Sequence, residues 1–186
     1  MIDKKQISFS FIFAILITIG AYLSLDVGYI SFTLQTLFIF IAGLTLSRIY
    51  AVLAVLIYLL AGAIGLPVFS GGSSGLGVFT GPTAGFLVGF PIAAGFMAHI
   101  SRDVQYKVGD VKLSPLYIKA IIYSFIGSFI IQIFGILWGK QYTGNSWSQV
   151  YFDYMHPFYL NLSVKAILAG IIAVQVWRLI DKRSKA

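Results

Sequence analysis

Long apolar runs separated by short polar breaks dominate this chain. A membrane-spanning helix needs about 20 mostly apolar residues, and at that length the pattern predicts six. Ile7 to Leu25 is the first, entered through Lys4 and Lys5. It reads as a retained span rather than a signal peptide, because the run is long and no small-x-small cleavage pattern follows. Phe32 to Leu46 is a shorter second segment, broken from the third, Ile49 to Leu66, by Ser47 and Arg48. Pro82 opens a fourth from Thr83 to about Ile100; proline suits a helix start because the amide it lacks would be unbonded there anyway. After a polar stretch, Ser101 to Ser114, Pro115 precedes the fifth, Leu116 to Leu137. The sixth runs from Phe158 to about Leu179 and ends in Asp181-Lys182-Arg183-Ser184-Lys185. The expected fold is an all-α membrane protein: one domain, residues 1–186, a bundle of six transmembrane helices.

Six spans put both termini on one side, and the charges choose which. Lys4, Lys5, Arg48, Arg102, Lys107, Lys112, Lys119, Arg178, Lys182, Arg183 and Lys185 share that side, eleven of the thirteen Lys and Arg. Cytoplasmic loops carry such an excess, so both termini are expected in the cytoplasm and the chain in the cell membrane. Trp138 and Trp177 lie near span ends, where aromatic belts form.

Composition removes the soluble alternatives. Hydrophobic residues make up 59% of the 186 and charged ones 10%, against about 25% charged in soluble domains. The net charge of +7 then reports membrane anchoring rather than nucleic acid. With no cysteine and no glutamate, disulfides, thiolate metal sites and cysteine nucleophiles are excluded. His99 and His156 sit at an inner span end and an outer mouth, and all six Asp lie at ends or in loops. No acid–base pair for an intramembrane enzyme and no metal site emerge.

Candidate chemistry concentrates in three places. The segment from Gly65 to Thr83 holds Gly71, Gly72, Gly75, Gly77 and Gly81 and ends at a predicted helix start, which suits close backbone approach to a ligand; a flexible outer loop has the same composition. It is no phosphate loop: Gly75-Leu76-Gly77 lacks the third glycine, and Gly135 to Lys140 is one residue short and followed by Gln141. Lys165 lies about two turns into the sixth span. A charge there costs about 2.5–3.5 kcal/mol, so a carboxylate, water or an anionic ligand must offset it. Asn161, four residues earlier, shares its face. A cation and an amide together suit a small ligand with a carboxylate and a carbonyl. Thr33 and Gln35 mark an inward face of the second segment, or bond neighbouring helices. Ala14 and Thr18 form a small-x-x-x-small stripe, either a docking surface or a packing seam.

Three stretches resemble the BioY family: Gly28-Tyr29-Ile30-Ser31-Phe32-Thr33-Leu34-Gln35-Thr36, Tyr58 through Ala61-Gly62-Ala63-Ile64-Gly65-Leu66-Pro67 to Gly72, and Gly81-Pro82-Thr83-Ala84-Gly85-Phe86-Leu87-Val88-Gly89-Phe90. The family comprises substrate-binding (S) components of energy-coupling-factor (ECF) transporters, a class of ABC transporter. The resemblance implies capture of biotin at the outer face and no enzymatic activity. ATP-driven uptake would fall to an ECF transmembrane subunit and two cytoplasmic ATPases. Biotin is then the cargo, and no cofactor is expected. The resemblance also implies docking of the partner on Ala14 and Thr18, where the family pattern Ala-x-x-x-Ala ends here in Thr. Where the family carries an Asp three residues before the lysine, this chain has Leu162; Asn161 or Asp153 is left to supply that polarity. The expected pocket has Lys165 at the ligand carboxylate or a neighbouring polar group. Asn161 and Gln35 meet other polar atoms, the glycine loop closes the mouth, and Tyr29, Phe79 and Trp138 form apolar walls. A solitary secondary carrier and an S component for another small vitamin are the competing readings.

Overall fold

Without water to bond it, every backbone N–H and C=O in a bilayer needs a partner in the protein, and the apolar runs accordingly fold as helices. The computed structural model describes residues 3–27, 30–105 and 113–184. Along them run α1 (Lys4–Tyr22), α2 (Gln35–Thr45), α3 (Arg48–Ala63), α4 (Ala84–Gln105), α5 (Leu113–Thr143), α6 (Trp147–Tyr154) and α7 (Phe158–Ser184). The helices α1, α4, α5 and α7 are long and apolar enough to cross a membrane. At 11 and 16 residues, α2 and α3 reach only about 16 and 24 Å.

Three details depart from the sequence reading. The first span stops at Tyr22, and the chain then forms an antiparallel hairpin, β1 (Ser24–Val27) with β2 (Ile30–Thr33). The helical reading therefore gains a small ribbon, which satisfies backbone groups between α1 and the deep-set start of α2. The fifth helix runs past Leu137 to Thr143, taking in Trp138 and Lys140. Lys140 Nζ donates to the carbonyl of Asn145 at 2.6 Å, a cation at the end of the helix where free carbonyls gather. The segment expected as an aromatic connection contains α6, capped by Ser146 Oγ accepting from Gln149 N.

The packing follows membrane rules. The face α1 turns inward is Ser10, Ala14, Ile17 and Ala21, whereas Phe11, Ile12, Ile15 and Ile19 are exposed. On α7 the inward face is Ala166, Ala169 and Ala173, with Ile167, Leu168, Ile171 and Ile172 outside. Small residues within let helices approach closely, and large apolar ones outside meet lipid. Gly85 is one such approach: a Cβ there would lie 2.3 Å from the backbone oxygen of Phe134, so α4 and α5 touch main chain to main chain.

Helix α2 is the axis of the bundle, in contact with α1, α3, α4, α5 and α7. A helix that ends inside a membrane domain leaves four carbonyls without intrahelical partners. Here the carbonyl of Leu44 accepts from Trp177 Nε1 of α7 at 2.8 Å and from Gln105 Nε2 of α4 at 2.7 Å. Trp177→Phe removes one of these donors while the other keeps the carbonyl satisfied. The expected loss is about 1 kcal/mol, read as a modest fall in melting temperature with ligand binding unchanged.

Candidate functional site

Below the glycine-rich loop lies a cavity of about 240 Å³ among α2, α3, α4, α5 and α7. The face of α7 that enters it is Phe158, Leu162 and Lys165, the i, i+4, i+7 spacing of one helical stripe. Lys165 is 4% exposed. Its Nζ donates to the carbonyl of Thr33, the last residue of β2, and among the described residues no carboxylate pairs with it. From that carbonyl a polar chain crosses the floor. Thr33 Oγ1 donates to Gln35 Oε1 at 2.7 Å, and Gln35 Nε2 donates to Tyr58 Oη on α3.

The opposite walls are apolar: Phe86, Leu87 and Phe90 from α4 and Ile131 from α5. The loop contributes Phe69, Ser70, Ser73, Val78 and Pro82 to the cavity. It is strapped down by Gly75 N donating to the Gly62 carbonyl at 2.7 Å, and by Tyr22 Oη donating to the Pro67 carbonyl. Gly75 holds a φ of +86°, a conformation that side chains resist.

Several polar atoms around the cavity are buried without a hydrogen-bond partner among the described residues: Thr36 Oγ1 on α2, Ser70 Oγ in the loop, and both Oε1 and Nε2 of Gln132 on α5. A buried donor or acceptor left unmade costs about 1–3 kcal/mol. A site that carries four such atoms beside an ammonium with no carboxylate partner among the described residues is arranged for a guest with hydrogen-bonding groups of its own.

The sequence-selected residues divide. Lys165, Gln35, Thr33 and Thr83 line the cavity together. Asn161 does not; it lies about 100° round the helix from Leu162, with Oδ1 buried and without a partner among the described residues. Phe79 stands one layer behind, edge-on to Phe69 at 5.7 Å. Trp138 turns its Nε1 to the carbonyl of Gly81 at 2.8 Å, which pins the loop end to α5 rather than facing the cavity. Gly71 and Gly72 form a 3-10 turn with positive φ and are not on the wall. Asp153 accepts from Gln149 Nε2 at 3.0 Å on α6, away from the cavity. Tyr29 lies outside the described residues. Ala14 is 5% exposed, within the bundle core, and Thr18 is half-buried with its Oγ1 bonded to the Ala14 carbonyl. Leu162, the position of the family aspartate, is on the cavity wall.

Tyr58, Thr36 and Gln132 escaped the sequence reading. Gln132 carried a usable signal, an amide amid Ile130, Ile131 and Ile133, of the same kind that singled out Lys165. Tyr58 carried none, since an aromatic in a span reads as core or belt.

A multi-pass helical membrane protein with a cation-bearing cavity beneath a strapped loop fits the class of small-molecule transport proteins. The model of the BioY family matches residues 1–182, and the chain belongs to that family. It is 34% identical over 169 residues to a probable biotin transporter BioY of Pyrococcus horikoshii, covering 91% of this chain and 94% of the relative. It is 32% identical over 172 residues to the biotin transporter BioY2 of Lactococcus lactis, covering 92% and 90%. A crystal structure of the S-component for biotin from an ECF-type ABC transporter superposes with a TM-score of 0.84 over 96% of this chain and 95% of the other. At 20% identity that match establishes a shared fold. The chain stands among transporters, not enzymes.

Proposed function

We propose that this chain is the substrate-binding component of an ECF-type transporter and that its ligand is biotin. The observation that carries the reading is the buried Lys165 ammonium, without a carboxylate partner among the described residues, on the wall of a 240 Å³ cavity with unmatched polar atoms, in a chain whose relatives are named biotin transporters. Biotin has a carboxylate for the cation, a urea for the amide and hydroxyl groups, and an apolar body for the phenylalanines. The cavity is smaller than the roughly 300–1,000 Å³ of drug-sized pockets, which favours biotin over bulkier vitamins.

The six-span arrangement belongs to this proposal, with α2 and α3 as the short spans. Both termini then face the cytoplasm, on the side that bears Lys4, Lys5, Arg48, Arg102 and Arg178, and the loop above the cavity opens outward from the plasma membrane. The energy comes from a partner transmembrane subunit and two ATPases.

Equilibrium binding to the purified chain in lipid nanodiscs tests the ligand. Biotin is expected to saturate one site, with thiamine, riboflavin and pantothenate failing to compete; displacement of biotin by any of them overturns the assignment. Reconstituted vesicles test the partnership. Biotin accumulation is expected only with the ATPase module and ATP, whereas uphill uptake by the chain alone would make it a secondary carrier.

A further inference from the structure

At the end of the bundle where α3 begins, away from the glycine loop at its other end, α1 and α7 both pack on α2 but barely on each other. A second cavity, of about 560 Å³, opens between them. Helix α2 ends here, and Thr45 with the buried Leu46 forms the floor. The sides are Phe9 of α1 and Val176, Leu179 and Ile180 of α7. Phe9, Leu179 and Ile180 are exposed on helices long and apolar enough to cross the membrane, so the cleft meets lipid.

The rim is charged, with both signs. Asp3 and Lys5 line the cleft together. Asp3 Oδ1 caps α1 by accepting from Lys5 N at 3.0 Å and Gln6 N at 3.3 Å, and no salt bridge engages either side chain among the described residues. The rim is also held in place. Asp3 N donates to Tyr50 Oη at 2.7 Å, and Gln6 Oε1 accepts from Ser47 Oγ at 2.7 Å, which ties the start of α1 to the start of α3. An apolar slot with a carboxylate and an ammonium at its mouth complements an amphiphile whose head carries an anion and a hydrogen-bonding cation. A phosphoethanolamine head has that pair. A phosphatidylglycerol head gives Lys5 its phosphate but sets a like charge against Asp3, and a choline head offers the carboxylate no N–H. An apolar helix of a partner protein would fill the slot and leave both charges unmatched.

We propose that the cleft between α1 and α7 is a binding site for one phosphatidylethanolamine molecule of the adjoining leaflet. Its phosphate meets Lys5, its ammonium meets Asp3, and an acyl chain lies along Phe9, Val176 and Leu179. The lipid joins two long helices that the protein itself leaves almost unjoined. The site is separate from the cavity that holds Lys165 and stands whether or not biotin is the cargo.

Native mass spectrometry of the chain released from nanodiscs of equal phosphatidylethanolamine, phosphatidylglycerol and phosphatidylcholine reads the occupant. The wild type is expected to retain one phosphatidylethanolamine in preference to the other two. Asp3→Asn keeps an oxygen for the helix cap and is expected to reduce the preference over phosphatidylglycerol about fivefold. Val176→Trp, which fills the slot, is expected to lose the retained lipid, with Val176→Phe as the second variant if the first fails to fold. Equal retention of the three lipids, or a preference unchanged in Asp3→Asn, overturns the proposal. A wild type released without lipid, or as a dimer that Val176→Trp breaks, overturns it too. A Val176→Trp chain that keeps its lipid but no longer assembles with the transmembrane partner subunit assigns the cleft to that partner instead.

Discussion

Lys165→Met is expected to move ligand affinity and protein stability in opposite directions. Removing one partner of a buried charge pair costs about 2–5 kcal/mol of binding, so biotin affinity should fall by about 30-fold to several thousand-fold. The ligand-free protein should gain stability or hold it. The ammonium is buried, its hydrogen bond is to the Thr33 carbonyl, and among the described residues it has no ion-pair partner. An intramembrane charge costs about 2.5–3.5 kcal/mol, and methionine fills the same volume without it. The loss of the Thr33 bond returns about 1 kcal/mol of that. Thermal denaturation with and without biotin separates the two effects. The wild type should rise in melting temperature on saturation, by linkage; the variant should start higher and rise little. Biotin methyl ester completes a cycle, since a ligand without the carboxylate should lose far less affinity on the substitution. Equal losses for acid and ester would place the carboxylate elsewhere.

What made Lys165 legible also marks the boundary of sequence reasoning. A lone cation in an apolar run announces itself because its energy is wrong for its surroundings, whatever the tertiary structure. Thr33 and Gln35 announced themselves more weakly, and the cavity gathers them with Lys165 because β2 delivers Thr33 next to α7. The long runs gave α1, α4, α5 and α7 with ends displaced by a few residues, since length and hydropathy are local properties. The central position of α2 was not legible. It depends on Trp177 and Gln105 reaching the Leu44 carbonyl from residues 133 and 61 positions away. The same limit explains Trp138 and Phe79. Both sit at the loop end of the bundle, as an aromatic wall would, but Trp138 is held by the Gly81 carbonyl and Phe79 by Phe69. Side-chain direction at a loop end is set by such partners, and no spacing along the chain records them. Asn161 shows the finer version: an i, i+4 relation to Lys165 put both on one face, yet the cavity opens on the stripe of Phe158, Leu162 and Lys165.

Gly62→Ala is expected to damage both the loop and the site, although it adds one methyl group outside the cavity lining. A Cβ at position 62 would lie 2.1 Å from Cζ and 2.3 Å from Cε2 of Phe69. An aromatic ring can often swing away from such a clash, but this one is held on two sides. It meets Tyr58 edge-on at 5.4 Å and Phe79 at 5.7 Å, and it is 2% exposed. Moving it displaces Tyr58, whose hydroxyl receives Gln35 Nε2, and so disturbs the polar floor that leads to Thr33 and Lys165. It also strains the Gly75 amide bond to the Gly62 carbonyl, which straps the loop to the end of α3. Overpacking of this kind costs about 1–3 kcal/mol, and biotin affinity should fall at least tenfold because the Phe69 wall and the floor shift together. Gly71→Ala provides the contrast. Its φ of +66° disfavours a side chain, but a Cβ there meets nothing within 4 Å, so about 1 kcal/mol of backbone strain should leave affinity close to wild type. Adding Phe69→Leu to Gly62→Ala gives the methyl group room and should restore part of the lost stability. If Gly62→Ala alone binds biotin as the wild type does, the packing of Phe69 against α3 does not hold the site in shape.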